Sequence, residues 1–76
     1  MKARSRKKGF FATRLRELRK QAGLSQGKLA RNSGLGVSTV RLFEYGLRQP
    51  TFETLVKLAR GLDVSLGAFD PEKLSW

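Results

Sequence analysis

Apolar residues recur along most of this 76-residue chain at helical spacing. Phe11, Leu15, Leu18 and Ala22 fall at i, i+4, i+7 and i+11, one face of a first helix that Gly23 should stop. Ser25 can cap a second helix, Gln26–Ser33, with Leu29 and Ala30 turned inward and Gly34 ending it. A third helix needs to begin near Gly36 or Val37, because Val40 and Phe43 recur at helical spacing before Gly46 and Pro50 close the segment. Thr51 is a good cap for a fourth, in which Phe52, Leu55, Val56, Leu58, Ala59 and Leu62 make a broad apolar face. Ser65 opens a short fifth helix, Leu66–Phe69, which Asp70-Pro71 stops. No segment alternates with period two. The pattern predicts an all-α fold, a compact domain of five helices.

Residues 1–9 carry no hydrophobic period and dense like charge, which predicts a flexible basic arm ahead of a domain over residues 10–70 and a short tail over 71–76. A chain this short holds one core and buries only roughly 60 % of its unfolded surface, so it depends on helix packing or a partner subunit. It has no cysteine and no histidine, which removes disulfides, zinc-finger ligation, thiol or imidazole catalysis and haem attachment. Its six carboxylates are scattered and its glycines form no phosphate-cradling loop, so no enzyme, cofactor or metal is expected. No apolar run reaches the ~18–20 residues of a membrane span, and the basic start leads into no secretory segment; the expected location is the cytoplasm.

Sixteen Lys and Arg against six Asp and Glu give a formal charge of +10, far beyond what solubility requires. The expected partner is a polyanion. The charge is uneven: residues 1–20 hold nine bases and one acid, whereas residues 51–76 hold three bases and four acids. One end of the chain is therefore suited to the polyanion and the other is free for something else.

The stretch from Gln26 to Tyr45 reads as two short helices joined by a tight turn. Ala30 is small where the helices would cross, Gly34 sits at the bend, and Leu35, Val40 and Phe43 hold the second helix against the first. A small residue, a glycine, and apolar residues one, six and nine positions after it meet the geometric requirement of a helix-turn-helix.

Leu15-Arg16-Glu17-Leu18-Arg19, Ala22-Gly23-Leu24-Ser25-Gln26, Leu29-Ala30, Gly34-Leu35, Val40, Phe43-Glu44-Tyr45-Gly46, Arg48, Pro50-Thr51, Leu55, Leu58-Ala59, Leu62 and Val64-Ser65 stand together as they do in a known family. Over roughly residues 13–69 the chain resembles the phage-repressor and Cro-type (Xre) helix-turn-helix proteins. The resemblance implies a five-helix DNA-binding domain, usually a homodimer, that docks its third helix in the major groove of double-stranded DNA. It implies that Gln26 contacts the phosphate backbone, that Val37, Ser38, Arg41 and Leu42 occupy the base-reading face, and that Arg19 and Glu44 form a buried ion pair. Lys28, Arg31, Tyr45 and Arg48, with Arg4, Arg6, Lys7 and Lys8 of the arm, are further candidates for phosphate contact. The chain departs from the family pattern at four positions. Gly36 caps the third helix where Ser or Thr is usual; Lys28 replaces a capping-box Glu; and Val37 and Leu42 stand where Gln, Asn or Arg usually read bases. Leu42 can touch only a thymine methyl, which leaves direct readout largely to Ser38 and Arg41.

Each assignment competes with a plainer one. The arm is a solubilising tail or a DNA contact; Val37 and Leu42 pack on neighbouring structure, touch thymine or face a partner; Arg41 reads the groove or is a solvated or phosphate-bound cation. Phe69, Leu74 and Trp76 cover the fifth helix, form a dimer or partner surface, or belong to a loose tail. Two functions fit. The first is a sequence-specific transcriptional regulator, a repressor that binds a palindromic operator as a dimer. The second is an antitoxin-like subunit that restrains a toxin and autoregulates its operon, a reading favoured by the acidic, apolar C-terminus, whose charge is wrong for DNA.

Overall fold

The structure is a computed structural model that describes the backbone of residues 2–70 and the side chains of residues 9–70. Four α-helices, α1 (Lys2–Gln21), α2 (Gln26–Ser33), α3 (Val37–Glu44) and α4 (Phe52–Leu62), are followed by a single 3-10 turn, Leu66–Phe69. The fifth element is therefore a 3-10 turn and not the expected α-helix. Four residues between Ser65 and Asp70 leave no length for a ladder of i→i−4 bonds, and Ala68 instead donates back to Ser65 at 3.0 Å.

Helix α1 begins at Lys2, well before Phe11, so the backbone of the basic segment expected as a flexible arm is part of the helix. Its dense like charge argued against order, but Lys, Arg and Ala are strong intrinsic helix formers, and Gly9 alone does not break the turn. The side chains of Arg4, Arg6, Lys7 and Lys8 lie outside the described residues, as do Leu74, Trp76 and the rest of the tail.

The remaining ends are set by local chemistry. Ser25 Oγ accepts the Lys28 amide at 3.0 Å and Thr51 Oγ1 accepts that of Thr54 at 3.2 Å, closing the first turns of α2 and α4. Gly36 occupies the N-cap of α3 with no side-chain bond. Gly34 terminates α2 at φ 71°, a left-handed conformation in which it donates to Arg31 and Leu35 donates to Ala30 at 2.9 Å, turning the chain into α3.

Helix α2 packs on α3 and α4, while α1 lies across α3 and the 3-10 turn. The core between them is Leu15, Leu18, Leu29, Ala30, Val40, Phe43, Leu58, Ala59, Leu62 and Phe69. Phe11 joins its layers, with ring centroids 5.9 Å from Phe43 and 5.6 Å from Phe69. Three residues depart from the sequence pattern. Ala22 is exposed because α1 has already ended; Phe52, in the first turn of α4, is 71 % exposed; and Phe69, expected on a dimer or partner surface, is buried in the domain's own core.

Candidate nucleic-acid interface

Helix α3 turns Val40, Phe43 and Glu44 inward and presents Ser38, Arg41 and Leu42 to solvent. Val37, named with them as a base reader, is half-buried and packs against the core. Tyr45, just past the helix, is 66 % exposed.

A polar cluster fastens α3 to α1. Glu44 is 1 % exposed, and Arg19 grips it with two bonds, Nε to Oε2 at 2.6 Å and Nη2 to Oε1 at 3.1 Å. Arg19 Nη1 also donates to the Leu24 carbonyl at 3.0 Å, so the guanidinium sits between the end of α1 and the end of α3. This planar, two-bond geometry is what a buried carboxylate needs to offset its desolvation. One turn earlier on the same face of α1, Arg16 donates to the Glu44 carbonyl, capping the last turn of α3.

Gln26 stands at the start of α2, where a phosphate contact is expected, yet both ends of its amide meet protein groups. Nε2 donates to Glu44 Oε1 at 3.0 Å and Oε1 accepts from Arg41 Nε at 3.3 Å. The neighbouring elements carry exposed cations. Lys28 and Arg31 stand within α2, and Arg48, in the loop after α3, places its guanidinium 5.9 Å from the centroid of the Phe43 ring.

Two arginines counted toward the polyanion-facing charge have internal partners. Arg16 holds α3, and Arg14 donates from Nε to the Ala68 carbonyl at 2.9 Å while its Nη1 lies 3.3 Å from Glu17. Arg16 was legible in principle, since it precedes Arg19 by three positions and shares its helical face. Arg14 was not, because its acceptor is a backbone group 54 residues away. Among the described residues no group of acidic side chains is arranged to hold a metal, and no helix is long and apolar enough to cross a membrane.

Residues 15–69 match the HTH_3 helix-turn-helix family. The chain belongs to that family. Among curated helix-turn-helix relatives, the HTH-type transcriptional regulator SutR of Escherichia coli (strain K12) is 37 % identical over 60 residues, covering 79 % of this chain and 34 % of that protein. The cryptic phage CTXphi transcriptional repressor RstR of Vibrio cholerae is 36 % identical over 51 residues, covering 67 % and 46 %. The chain thus spans about a third to a half of the length of the curated relatives it matches. Among solved structures, the restriction-modification controller protein C.AhdI from Aeromonas hydrophila superposes with a TM-score of 0.75 at 44 % identity, over 78 % of this chain and 89 % of that one.

Proposed function

We propose that this helix-turn-helix domain binds double-stranded DNA as a transcriptional repressor, with α3 in the major groove of each half of a palindromic operator bound by a homodimer. The observation that carries the reading is the presentation of α3. Ser38, Arg41 and Leu42 form an outward face on a helix whose inward face is locked to α1 through Glu44, and exposed Lys28 and Arg31 on α2 and Arg48 in the loop after α3 add positive charge to the adjoining segments. A rigid helix with hydrogen-bonding groups outward and cations beside it suits base contact within a frame of phosphate contacts. The relatives' roles as a transcriptional regulator and as a phage repressor support the same reading. Repression would follow from occupancy of the operator. The antitoxin-like alternative rests on the acidic, apolar C-terminus, residues 69–76; Phe69 is buried in the domain's own core, residues 71–76 lie outside the described residues, and no observation favours it.

Selection of bound oligonucleotides from a random duplex pool tests the proposal. The recovered sequences should share a palindrome whose half-sites are centred about 34 Å, one helical turn, apart. Recovery of unrelated sequences would contradict it.

A further inference from the structure

One hydrogen-bonded chain runs from the core of the domain to the solvent face of α3. Its buried end is Glu44, fixed by Arg19. Glu44 Oε1 also accepts from Gln26 Nε2 at 3.0 Å, and the other end of that amide accepts Arg41 Nε at 3.3 Å. The amide has only one sensible orientation. Reversed, it would set an oxygen against a carboxylate and an NH2 group against a guanidinium, opposing like partners at both ends. A neutral side chain at the start of α2 is therefore aimed by a buried ion pair and in turn aims an exposed arginine on α3.

The contact also decides which edge of Arg41 is left. A guanidinium carries one hydrogen on Nε and two on each Nη. With Nε turned toward Gln26, the free edge is the end-on fork of the two Nη groups. In the major groove, guanine presents two adjacent acceptors, N7 and O6, to such a fork, whereas adenine pairs an acceptor with a donor and cytosine offers a donor.

We propose that Gln26 is a positioning residue for Arg41, and that the pair makes guanine the base read at this point of each half-site. The proposal rests on the reading of α3 as the DNA-contacting helix. Anchoring to Glu44 restrains a long, exposed side chain before DNA arrives, so less rotamer freedom is lost on binding. Gln26 retains one Nε2 hydrogen for a phosphate, so its effect on base preference, not on affinity alone, separates the two roles.

The test titrates the full chain against three duplexes: the selected site, the same site with one guanine–cytosine pair per half-site replaced by adenine–thymine, and a scrambled sequence. The proteins are wild type, Arg41→Ala, Gln26→Met, Gln26→Asn and the double variant Gln26→Met/Arg41→Ala, each checked by thermal melting. Gln26→Asn keeps an amide but is one methylene short of spanning Glu44 and Arg41, so it decides the matter if Gln26→Met does not fold. Wild type should favour the guanine site over the adenine site by about 10- to 100-fold. Arg41→Ala should abolish that ratio. Either Gln26 variant should cut it several-fold, and Gln26→Met should add nothing to it in the Arg41→Ala background. Equal losses on all three duplexes for the Gln26 variants would make Gln26 a phosphate contact and overturn the proposal, as would a selected site with no guanine sensitive to Arg41. A wild type indifferent to all three duplexes would overturn the reading of α3 itself.

Discussion

Gly61 of α4 lies directly against Ser33 of α2: a Cβ added to the glycine would stand 2.2 Å from Ser33 Oγ and 3.2 Å from the Ser33 backbone nitrogen. The two helices approach this closely because neither residue interposes a large side chain. Gly61→Ala should therefore destabilise the domain by about 1–3 kcal/mol through overpacking, despite the roughly 1 kcal/mol that alanine gains over glycine within a helix. Ser33 Oγ has no hydrogen-bond partner among the described residues, so Ser33→Ala should be neutral or stabilising by about 1 kcal/mol, and should recover part of the loss in the double variant. Thermal melts read both, at about 4–8 °C per kcal/mol for a domain of this size. A Gly61→Ala protein that melts at or above wild type would contradict the close approach.

The two members of the buried ion pair should not be equivalent. Arg19→Ala leaves Glu44, whose side chain is 1 % exposed, with the neutral Gln26 amide but no opposing charge, and should cost about 3–5 kcal/mol. Glu44→Ala leaves an arginine that is 13 % exposed and still bonded to the Leu24 carbonyl, and should cost less, about 1.5–3 kcal/mol. Denaturant titration of both variants checks the order, and the reverse order would show the carboxylate to be better solvated than its burial indicates.

Helices α2 to α4, the apolar part of α1 and three of the caps were legible in the sequence because each rests on local rules: a 3.6-residue apolar period, a Ser or Thr before it, a glycine after it; the basic first two turns of α1 carry no such period. Ser25, Gly34 and Thr51 are cases in which the local requirement and the tertiary structure agree. What was not legible depends on contacts distant in sequence. Phe69 is a candidate for a dimer or partner surface in the sequence, but it packs against Phe11, 58 positions earlier in the chain, and is buried. Phe52 fits the apolar face by residue type, yet at the first position of α4 it is 71 % exposed. In the candidate site, the pairing of Arg19 with Glu44 came from a family resemblance. The bridging of Glu44 to Arg41 by Gln26 did not, since it depends on two side-chain conformations that no spacing rule specifies.

Deleting residues 2–8 should weaken binding to selected and scrambled duplexes alike, because Lys2, Arg4, Arg6, Lys7 and Lys8 add positive charge without adding core residues. The dependence of log K on log salt should become shallower than the roughly −5 to −9 expected for a dimer with 6–10 phosphate contacts. Titrations at several salt concentrations measure the change, and an unaltered slope would assign the segment no contact with DNA.

The guanidinium of Arg48 lies over the Phe43 ring while remaining exposed to solvent. Arg48→Ala should cost about 0.5–1 kcal/mol of stability from the lost cation–π contact and should lower DNA affinity equally on all sequences. Melting and duplex titration of this one variant separate the two effects, and a loss confined to the selected site would make Arg48 a base reader instead.

The central claim is that α3 reads bases, and Arg41→Ala tests it most directly. Wild type and variant are titrated against a selected and a scrambled duplex at two salt concentrations. The variant should lose about 1–3 kcal/mol on the selected duplex and little on the scrambled one, at both salts, because a base contact carries sequence information that a phosphate contact does not. Equal losses on the two duplexes would reduce Arg41 to a phosphate contact, and no loss on either would mean that α3 is not the reading helix.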